Sequence, residues 1–233
     1  MKILQNQGKH KILAIMMGID GRSPLELIEW AGRTSYKSHH KITKDSAKKF
    51  VEMIRNLGHE SVLEHSAMTV EFTNISRGFT HELVRHRLAS YTQQSTRYVD
   101  KSDFTLIAPP DKDIKEKTVE LNLPSKTKIK ISFSDWVNLN AQMYQGLRQA
   151  GWANQDARQI LPIGIEAPIV MTTNLREWRH VFRLRCDKAA HWEIRSVIIK
   201  LLKEAKKKIP VIFDDFEIAK DGKSATIKNK TIR

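Results

Sequence analysis

The chain has 233 residues, 40% of them hydrophobic, enough for one sizeable core. Lys and Arg number 40 against 26 Asp and Glu, a formal net charge of +14 that invites binding of anions. The single cysteine, Cys186, excludes an intramolecular disulfide and a Cys-cluster metal site, and no apolar run reaches the roughly 18 residues of a membrane span. No metal and no membrane partner are expected. The N-terminal stretch lacks the longer apolar region and small-residue cleavage site of a secretory signal, and the single cysteine fits a reducing, cytoplasmic setting, which is expected.

Ser23-Pro24-Leu25-Glu26 predicts a helix start, with Ser as cap, Pro in the first position and Glu closing a capping box. From about Asp45 to Leu57, the residues Ala47, Phe50, Val51, Ile54 and Leu57 share a helical face, and Gly58 stops it. Met68, Val70 and Phe72 alternate with Thr69, Glu71 and Thr73, as in a half-buried strand. Helical spacing returns from Gly78 to Arg87, with Phe79, Leu83 and Val84 inward, and Lys128 to Phe133 alternates again. Ser134 reads as the cap of a helix with Trp136, Leu139, Asn140, Met143, Tyr144 and Leu147 on one stripe. Asn154 starts a short helix that Pro162 ends, and Pro168 to Thr173 is strand-like. A long helical stretch runs from Asn174 to about Lys208, with a bend near Asp187. Helices and strands mix without βαβ regularity. This predicts an α+β fold, a largely antiparallel central sheet flanked by helices, in one domain over residues 1–215 with a flexible basic tail over 216–233.

The densest polar constellation is RHRLASYTQQSTRY, Arg85 to Tyr98. Three arginines, hydroxyls and turn N–H groups gather there, the parts needed to hold a phosphate and a polar ring edge. Arg85, Arg87, Arg97, Arg158, Arg176 and Arg185 are arginines among polar neighbours, and the guanidinium's planar fork suits a small anionic ligand better than a polyanion. A solvated helix end followed by a polar loop is the bland alternative. A second alternative is a basic module that stacks single-stranded nucleic acid on Tyr91, Tyr98 and the five tryptophans. The tryptophans fall mainly at helix-face positions, where core packing explains them more simply.

Arg85-His86-Arg87, followed after seven residues by Ser95, resembles the signature of flavin-dependent thymidylate synthases. Gly58 to His65 (GHESVLEH), Ala31-Gly32-Arg33-Thr34-Ser35, Ala157-Arg158 with Leu161-Pro162, Asn174-x-Arg176 with His180 and Arg185, and Ala190 with Glu193-Ile194-Arg195 match that family in order and spacing. The resemblance implies conversion of dUMP to dTMP, with methylenetetrahydrofolate as carbon donor, FAD as cofactor and NADPH as reductant. It implies flavin contacts at Ser61, Arg85, His86, Arg87, Gln93, Asn174, Leu175, Arg176 and His180. Nucleotide contacts are implied at Glu82, Leu83, Val84, Arg85, Gln93, Gln94, Ser95, Thr96, Arg97, Arg158 and Arg185, with His59 on the folate side. Arg185 corresponds to the arginine that acts on the uracil ring, and is the catalytic candidate. The family resemblance further implies a homotetramer with sites at subunit junctions, and no nucleic-acid polymer as partner.

Asn174 also reads as a helix cap, with Glu177 placed to close a capping box. In a regular helix Arg176 and His180 share a face while Arg185 points nearly opposite. Glu82 stands where other members have Gln; a carboxylate there argues against a side-chain contact to phosphate and suggests that it orients Arg85 or Arg97 instead. Cys186 has no role in the resemblance and reads as small apolar filler.

Overall fold

The computed structural model describes residues 1–228. In chain order the first half contains β1 (Lys2–Gln5), β2 (Lys9–Ile15), α1 (Pro24–Thr34), α2 (Ser46–Asn56), β3 (Ala67–Thr73), α3 (Arg77–Leu83), β4 (Ala89–Gln93) and β5 (Thr105–Ala108). The second half contains β6 (Thr118–Asn122), β7 (Lys128–Ser132), α4 (Phe133–Gln149), α5 (Asn154–Ala157), β8 (Ile169–Asn174), α6 (Leu175–Arg185), α7 (Trp192–Lys208), β9 (Phe216–Ile218) and β10 (Ala225–Ile227). The fold is α+β, with antiparallel sheet and helices, and the residues gather in two compact units that interleave along the sequence.

The first unit comprises Met1–Lys9, Thr73–His81 and Gln93–Ile169. Strands β1 and β5 pair in parallel, and β6 and β7 form an antiparallel hairpin with Val119 opposite Ile131 and Leu121 opposite Ile129. Its core joins Phe104, Leu106, Val137, Ala141 and Ile165. Helix α4 is capped by Ser132, not Ser134, and buries Val137, Ala141 and Tyr144. Trp136, Leu139 and Met143 of the expected stripe are exposed instead. Both stripes are apolar at helical spacing, so periodicity alone had no means of choosing between them.

The second unit comprises His10–Phe72, Glu82–Thr92 and Val170–Arg233, and holds nearly all of a four-stranded sheet in the order β2-β3-β8-β4. Strand β3 shows the expected alternation: Met68, Val70 and Phe72 are buried and their neighbours half-buried. The capping box of α1 is present, Ser23 and Glu26 each closing on the other's backbone N–H. Helix α1 meets α2 closely because Gly32 has no side chain; a Cβ there would lie 2.7 Å from the Phe50 ring. Glu29, buried in α1, accepts from Arg33 (2.8 Å) and from Ser46 Oγ (2.8 Å) at the start of α2, which pins the pair together.

Several expectations change here. The long helix from Asn174 is two helices, interrupted over residues 186–191. The helix expected to reach Arg87 ends at Leu83, and β4 begins at Ala89 where a polar turn was expected. Of the tryptophans, Trp178 is fully buried, with its indole N–H donating to the Met68 carbonyl at 3.0 Å; Trp30, Trp136 and Trp152 are exposed. The segment from residue 216, expected as a flexible tail, carries the β9–β10 hairpin, while residues 229–233 lie outside the described residues. Phe216 is buried against Phe182, and the Ala225 N–H donates to the Cys186 carbonyl at 2.9 Å. Long-range burial of this kind is invisible in a lysine-rich composition.

Candidate active site

In the second unit the site grows from the Arg85-His86-Arg87 turn and the N-terminal half of α6. The turn is held from inside. The Tyr91 hydroxyl lies 2.8 Å from the Leu83 carbonyl and 2.7 Å from the His86 carbonyl, and its single proton is shared between them. Burial, with Glu177 nearby, pushes the Tyr91 phenol up to about 12, so it remains a donor. This geometry leaves Arg85 and Arg87 exposed and turns His86 inward, 3% exposed.

Both ring nitrogens of His86 are engaged. Arg185 Nε–H donates to His86 Nε2 at 3.1 Å, which places the ring proton on Nδ1, and Nδ1–H donates to Glu177 Oε1 at 3.3 Å. Burial, then the charge of Arg185 and the neighbouring His180, push the His86 pKa down to about 4, so the ring is neutral at physiological pH. Glu177, buried beneath it, has its carboxyl raised mainly by desolvation. His180 stacks edge-on to His86, with ring centroids 5.4 Å apart. The ligand atoms of His86, Glu177 and His180 cluster within 4.8 Å, but both His86 nitrogens are spent and the trio reads as a hydrogen-bonded cluster, not a metal centre.

Arg185 is fixed three ways, by His86, by Glu82 Oε2 at 2.9 Å from Nη1 and by the Glu82 carbonyl at 2.9 Å from Nη2. Glu82 therefore pairs with Arg185, and not with Arg85 or Arg97 as expected. Nor does Arg185 act opposite His180, since both reach His86. Cα direction sets the face of a helix, but arginine's long arm at the last residue of α6 folds back across it. Asn174 caps α6 by accepting from the Glu177 N–H at 2.8 Å, while the Glu177 carboxylate serves His86 and does not close the box.

Arg176 pairs with Glu64 at 2.5 Å, and both line a cavity of about 400 Å³ with Asn174, His180 and Arg183. Leu175 is buried at the head of α6. Beneath it Arg179, buried, makes a two-pronged pair with Asp215 (2.8 and 2.7 Å) and donates from Nε to Glu60 at 2.9 Å. That arginine, which sequence reading passed over, ties α6 to the start of the turn that carries Ser61. His59 and Ser61, both exposed, line a separate cavity of about 610 Å³ whose floor is Phe50, Met53 and Ile54. Cys186 is fully buried, and burial pushes its thiol up to about 12, which removes it as a nucleophile.

The first unit carries the other nucleotide candidates. Gln93 donates to Thr80 at 3.0 Å, Gln94 accepts from Lys101, and Ser95 Oγ accepts the Arg97 N–H at 3.2 Å. Arg97 is exposed and lies over the Tyr98 ring at 5.5 Å. Arg158 donates to Thr96 Oγ1 at 3.2 Å, and both line a cavity of about 440 Å³ together with Arg77 and His81. Among the described residues no carboxylate lines that cavity. Burial, and then the charge of Arg158, lower the pKa of Arg77, so the two guanidiniums lie close enough to repel each other. Arg77 had no motif to announce it. Glu82 to Arg85, with Val84 exposed, and Arg185 belong to the second unit, and Gln93 to Arg97 and Arg158 to the first.

The fold is shared with a UMP/dUMP methylase, PolB from Streptomyces cacaoi, solved with 5-Br dUMP, with which the chain aligns at a TM-score of 0.68 over 92% of this chain and 96% of that one. At 20% identity this likeness speaks for the fold alone. Residues 19–211 match the family model described as Thymidylate synthase complementing protein. Flavin-dependent thymidylate synthases of Pyrococcus abyssi (38% identical, covering 80% of this chain and 76% of that one) and Corynebacterium diphtheriae (35%, covering 84% and 81%) are among its relatives. The chain belongs to the flavin-dependent thymidylate synthase family and is an enzyme of that kind.

Proposed function

We propose that this enzyme methylates dUMP to dTMP in the cytoplasm, taking the carbon from methylenetetrahydrofolate and the reducing equivalents from NADPH through bound FAD. The observation that carries the reading is the carboxylate-free cavity in which Arg77 and Arg158 face a common space, a place for a nucleotide phosphate. The residues fit a flavin as well. Arg85 and Arg87 are exposed and make no ion pair among the described residues, and they flank the buried His86 as donors for a pyrophosphate. Asn174, Arg176 and His180 line one cavity and Ser61 another, at the positions the family resemblance gives to flavin.

When bound, flavin supplies hydride for the reduction, which this chain's side chains have no means of providing. The chain's own part is positioning and charge. In the first unit Arg158 and Thr96, with Arg77, offer a place for a phosphate; in the second, Arg185 is the residue that acts on a pyrimidine ring and stabilises negative charge that develops there. With its thiol buried and held protonated, Cys186 takes no covalent part. We also propose a homotetramer whose sites combine chains. The exposed Trp136, Leu139 and Met143 on α4, and Val119, Leu121 and Ile129 on the β6–β7 hairpin, are apolar surface of the kind that a partner covers.

The test is tritium release from 5-tritiated dUMP, with NADPH and methylenetetrahydrofolate added or withheld, on protein assayed for FAD. Arg158→Ala should raise the dUMP KM by about ten- to a hundredfold, the cost of one charge-assisted bond to phosphate, with turnover recovering at high dUMP. Protein that takes up no FAD and releases no tritium would refute the reading.

A further inference from the structure

We propose that Glu82 is a positioning residue for Arg185, holding the guanidinium plane so that its remaining donors face the pyrimidine. The inference rests on the proposed action of Arg185 on the uracil ring. A guanidinium carries five N–H donors. Three are spent, on His86 Nε2, the Glu82 carboxylate and the Glu82 carbonyl, and two have no partner among the described residues. The three acceptors come from two residues whose own places are secured. The Glu82 carbonyl precedes Leu83, whose carbonyl is held by Tyr91, and His86 is gripped from its far side by Glu177. Glu82 and Arg185 are 30% and 18% exposed at their side chains, so the pair is open enough to meet a ligand and sheltered enough to keep one geometry.

A direct contact of the Glu82 carboxylate with the pyrimidine runs against charge, because a carboxylate there would oppose the negative charge that Arg185 is placed to stabilise. The same carboxylate beside Arg185 has a use. Arginine loses several rotatable bonds when it is fixed, and a guanidinium anchored at Nε and both Nη atoms has lost them before substrate arrives. Glu82 thus acts through Arg185 and not on the nucleotide.

The experiment measures kcat and KM for dUMP, with FAD content, in Glu82→Ala, Glu82→Gln, Arg185→Ala and the Glu82→Ala/Arg185→Ala pair. Glu82→Ala should lower kcat about tenfold or more with the dUMP KM within about threefold, the pattern of an interaction realised in the transition state. Glu82→Gln keeps an acceptor for Nη1 and should stay within about threefold of wild type. The double variant should be no slower than Arg185→Ala alone, since residues acting as one unit are not additive. A Glu82→Ala defect confined to KM, or one that adds to the Arg185→Ala defect, overturns the positioning role. A slow Arg185→Ala beside a fast Glu82→Ala overturns it alone, whereas Arg185→Ala at wild-type turnover overturns the parent reading with it.

Discussion

Replacing Asp215 by Ala tests whether the Arg179 pair anchors the site. Arg179 is 5% exposed and Asp215 9%, and their two parallel bonds of 2.8 and 2.7 Å exclude water from both groups. Burial by itself raises the Asp215 carboxyl, but the hydrogen bonds and charge of Arg179 outweigh it and hold the group below the usual carboxylate range. Removing one partner of a buried pair costs about 3–5 kcal/mol. Arg179 keeps Glu60 and the Ile212 carbonyl, so the lower end applies, about 3 kcal/mol. For a chain of this size each kcal/mol moves Tm by about 2–4 °C, giving a fall of roughly 6–12 °C by calorimetry. Asp215→Asn, which keeps the shape and one acceptor, should lose less. Because Glu60 leads into Ser61, Asp215→Ala should also retain less FAD. A Tm within about 2 °C of wild type would refute the assignment of this pair as the anchor of α6.

His86 makes stability depend on pH. Its folded pKa, about 4, lies below the ordinary 6.5, so between those values the unfolded chain binds the proton that the folded chain refuses. Stability is whole above about 6.5 and falls by up to about 3 kcal/mol as pH drops toward 4. Glu177, raised by burial, works in the opposite sense, so the informative quantity is the difference from His86→Asn, whose stability should decline less over that window; equal slopes would exclude the buried neutral imidazole. Tyr91→Phe removes the hydroxyl shared by the Leu83 and His86 carbonyls. It should cost about 1 kcal/mol in denaturant unfolding and loosen FAD retention, and a variant with unchanged flavin affinity would show that the Arg85–Arg87 turn holds without it.

What the sequence determined by itself is local or near-local. The Ser23–Glu26 box, the alternation of Met68, Val70 and Phe72, the Asn174 cap and the Arg85–Ser95 spacing depend on residues within one or two turns or on an ordered motif, and all are legible in a single line of text. Tertiary structure decided which of two apolar stripes on α4 is buried, where α3 stops, and that residues 216–227 pair as a hairpin. It also decided that Glu82 meets Arg185, 103 residues away, that Arg179 meets Asp215, and that Arg77 shares a cavity with Arg158. Charge and periodicity state what a side chain needs: an acceptor for a guanidinium, an apolar neighbour for a ring. Many residues along the chain meet each need equally well. The choice among them is made by burial, which makes an unpaired charge too costly to keep and so selects the one partner the fold brings within reach.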